Sequence, residues 1–294
     1  MSTTAGPVEP TPEYVLRFSC EDRLGIVYAI SKFLLDHDCN IVESQQFGSR
    51  TSGLFFQRVQ FHANDGGILD VDGLRREFES IGAEFGMMWD LRELSAKQRV
   101  LIMVSKYGHC LDDLLFRAQS GWLNVEIAAV VSNHPDMQHL VESYDVPYFH
   151  VPVTAETKPA AEAELLELVE KYDVDLVVLA RYMQILSDDL CRQLEGRAIN
   201  IHHSMLPAFK GARPYHQARD RGVKLVGATA HYVTADLDEG PIIEQEVARI
   251  DHTMTAEQVT QVGRDNECIA LARAVRWHTE SRVIIGGKRT VVFK

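Results

Sequence analysis

The sequence predicts an α/β protein of two parts: a small ferredoxin-like α+β unit, then a larger, mostly parallel sheet covered on both faces. Three observations carry this. The chain has 294 residues, about twice the ~150 residues of a common domain. Its first third orders its apolar runs as strand, helix, strand, strand, helix. From Arg99 onward the strand-like runs become continuously apolar and alternate with amphipathic helices, the texture of parallel strands buried on both faces.

Residues 1–13 are polar and Pro-containing and read as a disordered lead-in. Tyr14 to Ser19 reads as a strand and Asp22-Arg23-Leu24-Gly25 as a turn. Ile26, Ala29, Ile30, Phe33 and Leu34 then recur at helical spacing and define one apolar face. Asn40 to Phe47 and Leu54 to Phe61 are two strands around a Gly- and Ser-rich hairpin connection, and Val71 to Phe85 is a second helix. This order is that of a ferredoxin-like unit over residues 14–91. A unit of that size is marginal alone and gains by packing against a copy of itself. Residues 92–98 are polar and form a short linker.

The second part spans residues 99–294. Val100 to Val104, Val125 to Val131, Val174 to Ala180 and Ala198 to His202 are the apolar strand runs. Helical faces lie between them, at Leu111 to Ala118, Leu165 to Tyr172 and Ser187 to Leu194. A long helix over Thr255 to Thr279 and a hairpin over Arg282 to Phe293 complete the chain. Such a Rossmann-like sheet binds ligands beyond the carboxyl ends of its strands.

Composition narrows the function classes. A formal charge of −12 disfavours nucleic acid and anionic membranes as partners of the body of the protein. No apolar run approaches the ~18 residues of a membrane span, and the N-terminus lacks a secretory pattern. The five cysteines are scattered, with no Cys-x-x-Cys pair. We therefore expect a cytoplasmic protein without a disulfide framework or zinc site.

The segment AINIHHSMLPAFKG places Asn200 and His202 two residues apart, on one face at the end of a strand. GATAHYVTADLDEGPII follows, with His231 closing a strand and Asp238 on the loop after it. An amide carbonyl attacked by water needs an oxyanion donor, a proton carrier and an orienting group. Asn200, His202 and Asp238 offer all three. The bland readings are a strand-end cap, a satisfied core histidine and a turn aspartate. A metal at His202-His203 is not expected, because adjacent strand residues point to opposite faces.

NIHHSMLPAFKGARPYHQA and GATAHYVTADLDEGPII resemble the formyltetrahydrofolate-dependent formyl-transfer family. The resemblance implies that Asn200, His202 and Asp238 form its catalytic triad and that His231 supports the aspartate loop. It places the folate wall on Met183, Gln184, Ile185 and Leu186, within LARYMQIL, and closes the other side with Thr234, Ala235 and Leu237. SCEDRLGIVYAISKFLLDHDCNIVESQQ resembles an ACT domain, a regulatory module that binds amino acids. There Asp22, Arg23, Leu24, Gly25 and Asn40 would line an effector site. An ACT domain followed by a formyltransferase-type domain is the arrangement of formyltetrahydrofolate deformylases. Their loop variants are similar to MVSKYGHCLDDLLFR and KGARPYHQA.

The resemblance implies hydrolysis of 10-formyltetrahydrofolate to formate and tetrahydrofolate, supplying formate for purine synthesis and balancing the one-carbon pool. It implies no permanent cofactor and no metal. Glycine and methionine would be the effectors, and ACT pairing would give a homotetramer. Two other readings stay open: formyl transfer to an amine such as glycinamide ribonucleotide, and a folate- or amino-acid sensor without turnover. Lys106, Tyr107, His109, Arg213 and Tyr215 are the expected place where water and amine acceptors are told apart.

Overall fold

The computed structural model describes residues 11–207 and 214–294, without the side chain of Pro214. Most of the expected lead-in, and Arg213, lie outside the described residues. The chain divides into two compact units.

The first unit comprises the described chain up to Ala96, with Glu280–Gly286 and Val291–Lys294. Its elements are β1 (Tyr14–Glu21), α1 (Ile26–Asp36), β2 (Cys39–Ser49), β3 (Leu54–Ala63), α2 (Val71–Phe85) and β4 (Met88–Glu93). The strands form an antiparallel sheet in the order β2-β3-β1-β4. The helical spacing of Ile26, Ile30, Phe33 and Leu34 buries that face of α1 against Tyr14, Leu16 and Phe18, alternate residues of β1. The α2 helix starts under Asp70, whose carboxylate accepts from the Gly73 amide at 3.0 Å. It stops at Gly86, left-handed at φ 60°. Strand β4 completes the βαββαβ order.

The second unit comprises Lys97–Thr279 with Gly287–Thr290. It runs β5 (Gln98–Val104), α3 (His109–Gln119), β6 (Val125–Ser132), α4 (Gln138–Glu142), β7 (Tyr148–His150), α5 (Lys158–Lys171) and β8 (Leu176–Leu179). It continues with α6 (Asp188–Gln193), β9 (Ala198–His202), α7 (Pro214–Asp220), β10 (Leu225–Tyr232), β11 (Ile242–Arg249) and α8 (Ala256–Thr279). Strands β12 (Val283–Gly286) and β13 (Arg289–Val292) form a separate hairpin.

The large sheet is ordered β11-β10-β9-β8-β5-β6-β7. Strands β9 through β7 in that order are parallel, while β10 runs antiparallel to both β9 and β11. Residues Leu101 to Val104 of β5 and Leu176 to Val178 of β8 are all at most 1% exposed, as expected of strands covered on both faces. Chain order reverses on either side of β5, with β6 to one side and β8 to the other. That switch point opens a crevice at the strands' carboxyl ends. Among the described residues, no helix is long and apolar enough to cross a membrane.

Candidate active site

Strand β9 ends at the mouth of this crevice. Ile199 and Ile201 are 0% and 3% exposed and pack inward. Asn200 and His202 take the other face, as the two-residue period requires. Strand β10 lies antiparallel beside them, with His231 the registered partner of Asn200. The His231 Nδ1–H donates to the Tyr232 carbonyl at 2.9 Å, which leaves Nε2 as an acceptor. The Asn200 amide nitrogen Nδ2 donates to that Nε2 at 3.2 Å. Only one of the two Asn200 N–H groups is engaged among the described residues.

The loop after β10 brings in the carboxylate. Asp238 adopts a left-handed φ of 58°, a conformation that aspartate tolerates. Its Oδ1 lies 3.3 Å from His202 Nδ1 and 3.7 Å from His231 Nε2. Asn200 is therefore the nearer partner of His231, and His202 the nearer partner of Asp238. Burial pushes the Asp238 carboxyl up, but the hydrogen bond and charge of His202 beside it outweigh that. The result is a carboxylate held well below its ordinary range. With His202 Nδ1–H given to Asp238, Nε2 is the nitrogen left for a substrate. It is buried and has no hydrogen-bond partner among the described residues.

These groups sit at one end of a cavity of about 320 Å³. Met183, Gln184, Ile185 and Leu186 line it, as do Thr234, Ala235 and Leu237. All eleven residues expected to be catalytic or to bind substrate thus border one cavity. Met183, Ile185 and Leu237 are 51%, 62% and 58% exposed, an apolar wall open to solvent and suited to a flat ring. Ser105 holds the wall in place: its hydroxyl accepts from the Met183 amide at 2.9 Å and donates to Asn133 Oδ1 at 2.7 Å.

The expected effector residues divide. Gly25 has φ 95° and opens α1 with no side-chain cap, so first-turn amides are left for another acceptor. Arg23 lies 4.2 Å over the Phe85 ring. Asn40, in contrast, pairs with His62 at the far end of β3, whereas the turn follows Glu21, the partner of Leu54. At ~3.4 Å per residue the two lie roughly 27 Å apart along the sheet. One chain does not bring them together.

Sequence reasoning missed three residues here. The alternation argument fails at His203, because β9 ends at His202. The two rings lie 5.0 Å apart and both border the cavity. Burial first, then the charges of Arg181 and His202, pull the His203 pKa down to about 4. Arg181, at a left-handed φ of 65° two residues past the end of β8, also borders the cavity. Its partner is Glu267 of α8, which is 1% exposed. Arg181 and Glu267 depend on a contact far along the chain, and the local pattern carries no sign of it.

Residues 98–275 match the Formyl transferase family. A formyltetrahydrofolate deformylase of Corynebacterium sp. (strain P-1) is 54% identical over 281 residues, which are 96% of this chain and 98% of that protein. The crystal structure of a formyltetrahydrofolate deformylase from Burkholderia mallei superposes with a TM-score of 0.92. It is 53% identical and covers 96% of this chain and 100% of its own. A glycinamide ribonucleotide transformylase from Symbiobacterium toebii is similar over 67% of this chain and 95% of its own, at 31% identity and a TM-score of 0.64. The transformylase shares only part of the chain, whereas the deformylases share nearly all of it, in sequence and in backbone. The chain therefore belongs to the formyltetrahydrofolate deformylase family.

Proposed function

We propose that the chain hydrolyses 10-formyltetrahydrofolate to formate and tetrahydrofolate. One observation carries the reading: Asn200, His202 and Asp238 converge at one end of a cavity whose other walls are largely apolar. The pterin ring lies against Met183–Leu186 and Thr234–Leu237. The second N–H of Asn200 meets the formyl oxygen. His202 Nε2 stabilises the tetrahedral oxyanion and passes a proton to the leaving N10. A carboxylate as acidic as Asp238 is a poor base. Its part is to hold His202 and to position the attacking water.

The test is formate release from 10-formyltetrahydrofolate without any amine. Purified wild type releases formate at an enzymatic rate, and Asp238→Asn loses it. A wild-type protein that binds folate without releasing formate would overturn the reading.

The first unit is read as an ACT-type effector domain for glycine or methionine. The uncapped start of α1 at Gly25 supports it, as a place for an amino-acid carboxylate. Asn40 joins that site only from a second copy. Leu24, Tyr28, Leu35 and Met88 are 98%, 71%, 75% and 70% exposed. Such an apolar surface supports self-association, which we take to give a homotetramer. All five cysteines are free, in keeping with a reducing cytoplasm. There the formate would feed purine synthesis.

A further inference from the structure

Glu267 is a buried charge outside the mechanism above. Such a charge costs several kcal/mol unless it is paired and hydrogen-bonded. Here every oxygen is committed. Oε2 takes His109 Nε2 at 2.7 Å and faces Arg181 Nε at 3.5 Å, and Oε1 accepts from the Tyr215 hydroxyl at 2.6 Å. His109, Cys110 and Glu267 stand close enough to suggest a metal site. The imidazole and the phenol hydrogen-bond the two carboxylate oxygens, and the guanidinium balances their charge.

Two backbone features admit it. Gly263 lies one turn before Glu267 on the same face of α8. A Cβ there would stand 2.1 Å from Tyr215 Cζ, so the tyrosine ring rests on bare helix backbone. Arg181 holds its left-handed φ at a cost of about 1 kcal/mol or more. The guanidinium it delivers is nine-tenths buried, with Nε and Nη1 making no hydrogen bond among the described residues, and lies 5.7 Å from the Tyr107 ring. Segments far apart in the chain thus converge on one carboxylate, and Arg181 carries the cluster to the wall of the cavity. The Tyr215 ring is 6.4 Å from that of His203, and Arg181, His202 and His203 share the cavity wall.

A transformylase must seat an amine beside the formyl carbon, whereas hydrolysis needs room only for water. The transformylase from Symbiobacterium toebii shares the fold of this unit. We propose that the Glu267 cluster is what restricts this chain to water. Tyr215 and Arg181 fill the acceptor side, and Glu267 is the positioning residue that holds them there. This rests on the hydrolytic reading. In hydrolysis the water oxygen bonds to the formyl carbon, the C–N10 bond breaks, N10 gains one proton and formate leaves as the other is lost. With the cluster opened, an amine nitrogen forms the new bond instead, N10 gains the amine's proton and a formamide leaves. No redox change occurs in either.

The experiment gives 10-formyltetrahydrofolate to the full-length protein with glycinamide, a small primary amine, and measures formate and N-formylglycinamide together. Wild type yields formate. Tyr215→Ala, Glu267→Gln and Arg181→Gly each raise the ratio of amide to formate at least about tenfold, the scale on which a few atoms of steric block discriminate. Tyr215→Phe keeps the ring and stays hydrolytic. Glycine is suited to the backbone at position 181, so Arg181→Gly still reports if Tyr215→Ala fails to fold. Folded Arg181→Gly and Glu267→Gln proteins that release formate but never formylate the amine overturn the proposal. Formylation of glycinamide by wild type would instead overturn the hydrolytic reading beneath it.

Discussion

His231 stands directly opposite Asn200 across the β9–β10 pair, and its Nε2 accepts the Asn200 amide at 3.2 Å. An asparagine amide offers donor and acceptor with nearly the same shape, so something must choose which faces the substrate. Here the choice is inherited from the backbone, because the Tyr232 carbonyl at 2.9 Å sets the His231 tautomer.

This makes the two residues one unit. Asn200→Ala should lower kcat by roughly 10²–10³, the usual loss for one oxyanion donor. His231→Ala should lower it by roughly 10², because the amide remains but is no longer held. The double variant should be no worse than Asn200→Ala alone, since groups that act together are not additive. Steady-state kinetics on the four proteins checks this. Additive losses would mean that His231 acts on its own.

Asp238 supplies a pH test. Its folded-state pKa lies below the unfolded value, which is about 3.9. The group therefore contributes stability that is fully present above that value and is lost as pH falls through and below it. Thermal unfolding of wild type and Asp238→Asn from neutral pH to pH ~3 should show a gap in Tm that narrows only at the acid end. A gap unchanged over that range would show that Asp238 does not hold the His202 imidazole through its charge.

The core of this site was legible because it is local. Strand period two puts Asn200 and His202 on one face, and the Ala198–His202 run predicts the observed strand to the residue. The wall at Met183–Leu186 follows directly on a strand end, where a parallel sheet puts its ligands. Strand β7 was not legible, since its three residues are too few to show a period. Nor was β11, an edge strand whose Glu244, Gln245 and Glu246 are half-buried while Ile242 and Val247 are exposed, so its sequence shows no clean alternation. Glu267 stands within a helix with no local sign of burial, and side chains from distant segments, His109, Arg181 and Tyr215, surround it. Asn40 reads as a neighbour of the Asp22–Gly25 turn, but antiparallel pairing sends it to the other end of the sheet.

His203 acts in the same direction as Asp238, but in a higher pH window. Its folded-state pKa is about 4, below an unfolded value of about 6.5. Between those values the unfolded chain binds more protons, so stability falls as pH drops through that window. The limiting slope is about 1.4 kcal/mol per pH unit for one proton. His203→Gln removes that proton site. Its unfolding free energy should lie flatter than that of wild type over the window, by denaturant titration at several pH values. Parallel profiles would place the acid sensitivity elsewhere.

Gly240 tests whether the aspartate loop must lie where it does. A Cβ at this position would stand 1.8 Å from the Tyr232 carbonyl oxygen and 3.3 Å from His231 Nδ1. Neither neighbour can yield. The Tyr232 amide is tied to Pro241 at 2.9 Å and its carbonyl holds the His231 ring. In Gly240→Ala the loop itself must lift, and Asp238, two residues earlier, lifts with it. Overpacking of this kind costs about 1–3 kcal/mol, and a displacement of about 1 Å at a reacting group costs roughly 10² in rate. The variant should therefore fold with a lowered Tm, bind folate against the unaltered Met183–Leu186 wall, and turn over at least about a hundredfold more slowly. Wild-type turnover in that protein would mean that Asp238 works from a loop that need not be fixed.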